Sequence, residues 1–474
     1  MEIKEIFKLE SADKIIQELK QGRNAPLPDL DKAIKALDPG KHDVNDKVLR
    51  PDKKVLIGSE SNNPKEEDYR IERVARIRLA LQKLIIGRSV SFCFGNPVAY
   101  NSTPENDNQL LVASVLKRIL YDNKSDSLNR KVGRTIFGFT ECAEIWYPVE
   151  RANTDYGFNS KFKLRCLLFS PEKGDTLYPY WDDTGDMVAF SRSFNKTDSE
   201  GKRTEYFETY TDTAHWMWRR KDNAYEVVEG YPHEIAIGKI PVIYGRQEQP
   251  ETQDVDSLID RLEKLLSNFA DTNDYHASPK IFIKGELRGF AKKGEAGAIL
   301  EGDDNTEAKY LEWSHAPESV KMEIETLLRM IYTITQTPDI SFESVKGLGA
   351  ITGIALKLLF MDAHLKVQDK REIFDEYLQR RVNVIKAYIG MFNIALSKDC
   401  DVLEIHPKIT PYMLDNEIEE INMWLAANGN KPLVSQKQSV KSANLSQDPD
   451  ADYEQILEEA STANAFMTGE PTFA

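Results

Sequence analysis

The feature that most constrains this chain is an uninterrupted helical pattern that runs from about residue 354 to residue 396. The stretch contains no proline, and its apolar residues recur at helical spacing. These residues are Leu365, Ile373, Leu378, Val382, Ile385, Ile389 and Phe392. One helix of this length would span about 60 Å at 1.5 Å per residue, more than a small domain needs. We therefore expect it to bridge parts of a larger assembly.

A glycine-containing segment, "SVKGLGAITG" at 344–353, leads directly into this pattern. Its G-x-G-x-x-x-G spacing differs from a dinucleotide fingerprint, and Lys346 precedes the glycines, whereas the lysine of a phosphate-binding loop follows them. The preceding pattern is also helical, whereas the dinucleotide motif follows a strand. The segment therefore favours a flexible loop in which Gly347, Gly349 and Gly353 permit tight turns. A nucleotide-binding enzyme that uses this loop is the alternative function.

Two amphipathic helices, over 252–275 and 317–336, bracket about 40 residues with strand and turn signals. This order predicts a stalk with a small β-containing tip. The tip includes the basic window "KGELRGFAKKG" at 284–294, which is either a solvated turn or a phosphate contact without sequence readout. Its cations are Lys284, Arg288, Lys292 and Lys293.

The region from about 143 to 245 changes to short β-rich runs separated by Gly, Asp and Asn turns. Helical patterns over 69–87, 108–121 and 126–141 precede it. Because helices and strands are segregated along the chain, the fold class is predicted to be α+β. In "HWMWRR", Trp216 and Trp218 alternate on a strand, which favours core or subunit packing over a stacking platform for single-stranded nucleic acid.

The two ends of the chain look different from its middle. Residues 1–65 are polar with one short amphipathic helix, which indicates an arm outside the core, with folding proper starting near residue 67. The tail has a strand-like "DVLEIHP", a helix near 415–427 and an acidic end.

Composition excludes several classes of protein. The net charge of −15 argues against a surface that wraps nucleic acid. The four cysteines are scattered without zinc-ligand spacing, the start is no signal peptide, and no apolar run approaches membrane-spanning length. Hydrolase and metalloprotease motifs are missing. We therefore expect an intracellular protein without enzymatic activity, cofactor or bound metal.

The order of these parts resembles the tailed-bacteriophage portal proteins of the type with an "sGiAlk" segment. The resemblance is carried by "LIIGRSVSFCFGNPV", "GKIPVIYG", "VDSLIDRLEKLLS", "TPDIS", "SVKGLGAITGIALKLLF" and "LVSQKQSVKSANLSQDPDADYEQILEEA", and it covers most of residues 67–460. Their order and spacing are together more specific than any single motif.

The resemblance implies a portal fold and a division of the chain into named parts. These are an N-terminal arm (1–66), the wing (67–251), a first stem helix (252–277), the clip (278–316), a second stem helix (317–338), the tunnel loop (339–352), a long wing helix with a wing strand (353–410), and the wing end with a short helical crown (411–474). The tunnel loop would present Ser341, Glu343, Lys346, Gly347, Gly349 and Gly353. Lys346 and the four clip cations would lie nearer the DNA than most cations.

The resemblance also implies partners and a location. Copies of the chain would form a ring, usually a dodecamer, at one capsid vertex of the virion, after assembly in the host cytoplasm. Double-stranded DNA would pass through the channel without sequence specificity during packaging and ejection. The large terminase, the major capsid and scaffolding proteins and the head-tail adaptor would bind the ring, and no membrane would be involved. A cytoplasmic scaffold without a DNA path is a further alternative.

Overall fold

The computed structural model describes residues 3–56, 69–197, 199–276, 281–284, 307–310, 316–340, 358, 360–412, 417–429, 432–443 and 448–467. The chain divides into two compact units. The first comprises Met1–Asp339 and Asp362–Tyr412, and the second comprises Ile340–Met361 and Met413–Ala474. Helices and antiparallel strands both contribute, and they are largely segregated along the chain, which confirms the α+β prediction.

The helices of the first unit lie before, between and after its strands. They are α1 (Ile3–Ile6), α2 (Ala12–Gln21), α3 (Leu30–Leu37), α4 (Leu81–Phe94), α5 (Asp107–Asp122), α6 (Ser125–Phe139), α7 (Asp256–His276), α8 (Ala316–Ile334), α9 (Met361–Phe392, whose first residue belongs to the second unit) and α10 (Ser397–Val402).

The strands of the first unit form several antiparallel sheets. They are β1 (Lys53–Leu56), β2 (Tyr69–Glu72), β3 (Ala99–Ser102), β4 (Glu141–Asn153), β5 (Ser160–Phe169), β6 (Thr176–Trp181), β7 (Met187–Thr197), β8 (Arg203–Tyr210), β9 (Ala214–Lys221), β10 (Ala224–Val227), β11 (His233–Glu234), β12 (Val242–Arg246), β13 (Ile281–Lys284), β14 (Glu307–Tyr310) and β15 (Ile405–Lys408).

The larger sheets provide the core of the first unit. Strands pair in the order β10-β9-β8-β7-β6, with β11 added on β9, and a second sheet has the order β12-β4-β5. Three strand pairs, β1-β2, β13-β14 and β15-β3, stand apart. Side chains of the two larger sheets meet in one apolar cluster that includes Ala143, Phe169, Phe190 and Val242, each buried. This cluster joins the two sheets into one body.

A buried ion pair holds helix α9 on the three-stranded sheet β12-β4-β5. Arg381 Nε and Nη2 donate to the two carboxylate oxygens of Glu144 at 2.6 and 2.8 Å, and Nη1 donates to Asn129 Oδ1 at 2.5 Å. Arg381 and Glu144 are both fully buried. A planar guanidinium that binds both oxygens fixes the rotation of the helix on the sheet.

The described residues of the second unit after residue 412 form helices. They are α11 (Glu417–Ala427), α12 (Gln436–Ala443) and α13 (Pro449–Met467). Lys437 of α12 pairs with Asp450 of α13 at 3.2 Å. The predicted helix near 415–427 is confirmed, as is the strand in "DVLEIHP", which is β15 in the first unit.

Most predicted helices are confirmed, with modest changes at their ends. The patterns over 252–275, 317–336, 108–121 and 126–141 correspond to α7, α8, α5 and α6. The long pattern is helical over Met361–Phe392, and it ends where the Asn393 side chain accepts a hydrogen bond from the amide of Ala395 in a following 3₁₀ turn. Residues 354–357 and 359 of that pattern lie outside the described residues.

The predicted helix over 69–87 is wrong for its first half. Residues 69–72 form β2, residues 73–80 have no regular secondary structure, and α4 begins only at Leu81. Contacts with a distant helix explain the difference. Alternate backbone amides of 73–80 donate hydrogen bonds to side chains of α7, which is possible in an extended chain, whereas in a helix these amides would bond to carbonyls of the same helix.

The interpretation of the N-terminal residues as lying outside the core is also wrong. Ile6, Ile16 and Leu19 are buried in a cluster with Phe207 and Trp218 of the large sheet. The few apolar residues of this N-terminal part lie on one face of α1 and α2, and burial of that face is sufficient to hold both helices on the large sheet.

The same docking decides between the two interpretations of "HWMWRR". The ring of Phe7 stacks on that of Trp216 with centroids 5.2 Å apart, and Trp218 is fully buried. Trp218 is therefore a core side chain and Trp216 is partly covered by Phe7, an arrangement that favours core packing over the stacking platform.

Candidate functional site

The candidate site is built on the paired helices α7 and α8, which bracket the strand pair β13-β14. Their facing side chains form one apolar seam that also contacts α4, with Ile259, Leu262, Leu327 and Ile331 buried in it. At the surface, Arg261 donates to Glu323 at 2.7 Å across the pair. The periodic apolar residues of each helix are therefore used mainly to hold the two helices together.

The two helices carry more carboxylates than cations. Together they carry eight carboxylates and four cations. Two of these carboxylates are already bound by residues outside the pair, because Glu263 is buried against His42 and Asp271 pairs with Arg50. The excess of negative charge on the rest of the pair disfavours tight binding of a polyanion.

Helix α8 ends in a defined C-terminal motif. Gln336 has a left-handed backbone with φ of 48°, its amide donates to the carbonyl of Thr333, and the amide of Thr337 donates to that of Tyr332 at 2.9 Å. This is the hydrogen-bond pattern of a Schellman motif, and Pro338 follows it. The helix pattern predicted over 317–336 therefore ends in a C-terminal motif followed by a proline, which cannot continue a helix.

A buried cluster of charges lies where this helix end meets the start of α9. Lys366 Nζ donates to the carbonyl of Thr335 at 2.7 Å and contacts Glu251 Oε1 at 2.7 Å. Lys370 Nζ lies 3.0 Å from the other oxygen, Glu251 Oε2. We call Glu251, Thr335, Lys366 and Lys370 the base cluster. It joins the residues on both sides of the segment 341–357.

A second contact holds the same helix end from α4. Arg88 Nη1 donates to the carbonyl of Pro338 at 2.8 Å, and its guanidinium lies 5.6 Å from the centroid of the Tyr332 ring. Thr335 Oγ1 also donates to Thr337 Oγ1 at 3.0 Å. The last residues before the segment 341–357 are therefore fixed by side chains from α4 and α9.

The charged groups of the base cluster are largely shielded from water. Burial lowers the pKa of Lys366, and the neighbouring Glu251 carboxylate acts in the opposite direction. Burial also raises the pKa of the Cys93 thiol nearby, to about 12. An inert thiol beside two ammonium groups that share one carboxylate indicates a structural joint and provides no nucleophile.

The residues predicted from the sequence fall mainly outside the described ranges. Ser341, Glu343, Lys346, Gly347, Gly349 and Gly353 lie there, as do Arg288, Lys292 and Lys293. Lys284 is described: it is the last residue of β13, it is exposed, and it lies opposite Glu307 in the register. Lys284 is thus the one predicted site residue that lies within the described ranges, and the grouping of these residues stays a prediction.

The residues that hold the ends of the segment were missed from the sequence. Arg88, Glu251, Thr335 and Lys366 stand in separate patterns, and nothing in their local sequence indicates a common site. Among the described side chains, no group of three or more His, Cys, Asp or Glu residues could hold a metal ion. None of the helices within the described ranges is apolar over the length that a bilayer requires.

Comparison with known families now identifies the class. The family model described as "Phage portal protein, SPP1 Gp6-like" matches residues 16–465. The chain therefore belongs to the SPP1 Gp6-like phage portal protein family, which confirms the resemblance seen in the sequence.

Solved structures with a similar chain come from gene transfer agent particles. One, titled "Neck of native GTA particle computed with C12 symmetry", matches with a TM-score of 0.41 and 11% identity, over 90% of this chain and 98% of that chain. Another, "Virion of native gene transfer agent (GTA) particle", matches with a TM-score of 0.38 and 12% identity, over 90% and 99%. No curated protein sequence matches the chain.

Proposed function

We propose that copies of this chain assemble into a ring at one capsid vertex, and that double-stranded DNA enters and leaves the particle through the centre of the ring. The observation that carries the proposal is the family match over residues 16–465, together with the helix, strand pair, helix, segment and long-helix order inside it. A dodecamer is the expected ring.

The parts of the ring follow from this order. We assign α7 and α8 to the stem and the strand pair β13-β14 to the clip, which would dock the large terminase and later the head-tail adaptor. Residues 339–352 would be the tunnel loop, and α11 to α13 would contribute to the wing end and crown. The major capsid and scaffolding proteins would surround the wing.

The charge of the paired helices supports a channel lining. The excess of carboxylates over cations on α7 and α8 would keep DNA moving, because few phosphate contacts could form along the stem. In this proposal the few cations near the path, Lys346 in the loop and Lys284 in the clip, contact phosphates without reading sequence. All four clip cations would lie near the DNA, and Gly347, Gly349 and Gly353 would permit tight turns in the loop.

The base cluster supports a loop that moves between fixed ends. Thr335 and Lys366 hold both flanks of the tunnel-loop segment in buried, charge-assisted contacts. Motion of the loop would therefore be confined to the residues between them. The proposal includes no catalysis, because ATP hydrolysis would be performed by the terminase.

Negative-stain imaging of the purified full-length chain tests this proposal. We expect rings with a central channel, and an ATP or NAD titration without binding. A chain that stays monomeric at high concentration, and forms no ring when assembled with capsid protein, would overturn it. Binding of ATP or NAD would favour the nucleotide-enzyme alternative.

A further inference from the structure

Residues 73–80 bind the surface of α7 through a ladder of hydrogen bonds. The backbone amides of Ala75, Ile77 and Leu79 donate to side-chain oxygens of α7. The acceptors are Asp271 Oδ1 at 2.7 Å, Ser267 Oγ at 2.9 Å and Glu263 Oε1 at 2.6 Å. We call residues 73–80 the strap.

The ladder rests on a match between two repeats. Residues 263, 267 and 271 are four apart, so their side chains lie on neighbouring positions of one helix face, about 6 Å apart along the axis. Alternate residues of an extended chain are about 6.6 Å apart and point their amides to the same side. A run of three bonds along a helix therefore requires acceptors at every fourth position.

Each end of the ladder is closed by a basic side chain from the N-terminal residues. His42 Nδ1 donates to Glu263 Oε1 at 2.7 Å, and both side chains are buried. At the other end, Arg50 Nη2 donates to Asp271 Oδ2 at 2.7 Å, and Arg50 Nε donates to the carbonyl of Ala75 at 2.8 Å. The two outer acceptors of the ladder are thus also partners in ion pairs.

The same N-terminal residues are anchored at the large sheet. Ile16 and Leu19 are buried against Phe207 and Trp218. Arg23 donates to the carbonyl of Leu177 at 2.5 Å. Residues 3–56 are therefore bonded to the sheet near their start and to α7 through His42 and Arg50 near their end.

We propose that residues 3–56, together with the strap, form a brace that ties the stem helix α7 to the six-stranded sheet, with the strap as the part that grips the stem. The functional consequence rests on the proposed function, because it treats α7 as a stem helix. The brace would keep the stem from shifting against the wing while DNA passes. It gives the N-terminal residues, which the sequence suggested were a loose arm, a mechanical role.

Hydrogen exchange of the full-length protein tests the grip of the strap. Ser267→Ala removes the middle acceptor, and Thr272→Ala is the matched control, because the Thr272 hydroxyl likewise donates to a carbonyl four residues earlier but accepts no strap amide. We expect amides of 73–80 to exchange about five to ten times faster in Ser267→Ala than in Thr272→Ala. Equal exchange in the two variants would overturn the proposal.

Two further variants separate the brace from a local contact. Glu263→Gln keeps an acceptor for Leu79 but removes the charge opposite His42, so its effect should be smaller than that of Glu263→Met. Ile16→Ala loosens the sheet end and should speed exchange in both the strap and α7, while α5 and α6 stay as in wild type. If Ile16→Ala leaves the strap unchanged, the two ends are independent and the brace is wrong.

These measurements are made on the free chain, so they do not depend on whether a ring forms. A failed brace would leave strap exchange insensitive to these changes while rings still appear in the microscope. A failed portal function would show the reverse, with a protected strap and no ring.

Discussion

Replacing Lys366 with methionine tests whether the base cluster holds the residues on both sides of the segment 341–357. The change removes the ammonium that bonds the carbonyl of Thr335 at 2.7 Å and Glu251 at 2.7 Å, while keeping an apolar chain of similar length. Removing one member of a buried ion pair costs about 3–5 kcal/mol when the partner charge is left alone. Here Lys370 still pairs with Glu251 at 3.0 Å, so we expect a smaller loss of about 2 kcal/mol.

This loss should be local, and hydrogen exchange can measure it. The amides of Thr335, Gln336 and Thr337 all donate to carbonyls of the last turn of α8, so opening of this turn exposes them. A local loss of about 2 kcal/mol corresponds to about thirtyfold faster exchange at these amides. Exchange in the six-stranded sheet should not change.

A surface lysine provides the control for this experiment. Lys14 pairs with Glu10 at 3.0 Å, and both side chains are more than half exposed. Lys14→Met should change exchange in its own helix by less than about threefold, because exposed pairs contribute little. If Lys366→Met has no more effect on residues 335–337 than Lys14→Met, the base cluster does not hold the loop ends.

Three further predictions concern other parts of the first unit. The contact with Glu263 raises the pKa of His42. The stabilisation from this pair is therefore complete below the ordinary histidine pKa of 6.5 and is lost as the pH rises through the pKa of His42 in the folded protein. The difference in thermal stability between wild type and His42→Ala should shrink over that window, and a difference that grows with pH would contradict the prediction. Arg381→Met leaves the buried Glu144 carboxylate without its cation and should destabilise the protein by about 3–5 kcal/mol in thermal unfolding. Adding Glu144→Leu should restore part of this stability. An Arg381→Met variant as stable as wild type would refute the role of the pair. Phe7→Ala removes a ring stacked on a tryptophan at 5.2 Å and should shift tryptophan emission to longer wavelength, whereas an unchanged spectrum would indicate that the N-terminal helices do not cover the sheet.

The sequence predicted those parts of the fold whose signals are local. The seam of α7 and α8 follows from apolar residues at helical spacing, and the end of α8 follows from Pro338, because both are properties of neighbouring residues. The β-rich runs between 143 and 245 likewise predicted strands, and in one of them, β8, the last four residues are buried on both faces. The order of these elements was enough to suggest the family.

The parts that were missed depend on contacts between distant residues. Residues 73–80 have helical periodicity, but their amides bond acceptors 184 to 196 residues away, and these bonds decide the conformation. Lys366 lies in a helical pattern where a lysine normally faces solvent, and only the fold brings it to Glu251 and Thr335. A single sequence shows none of these pairings.

The most direct test of the central claim is a cryo-EM map of DNA-filled particles reconstructed without imposed symmetry. We predict one vertex that carries a ring of this chain, expected to be a dodecamer, with α7 and α8 surrounding density for DNA on the ring axis. A map in which this chain is absent from the vertex, or in which α7 and α8 lie on the outer rim away from DNA, would contradict the account.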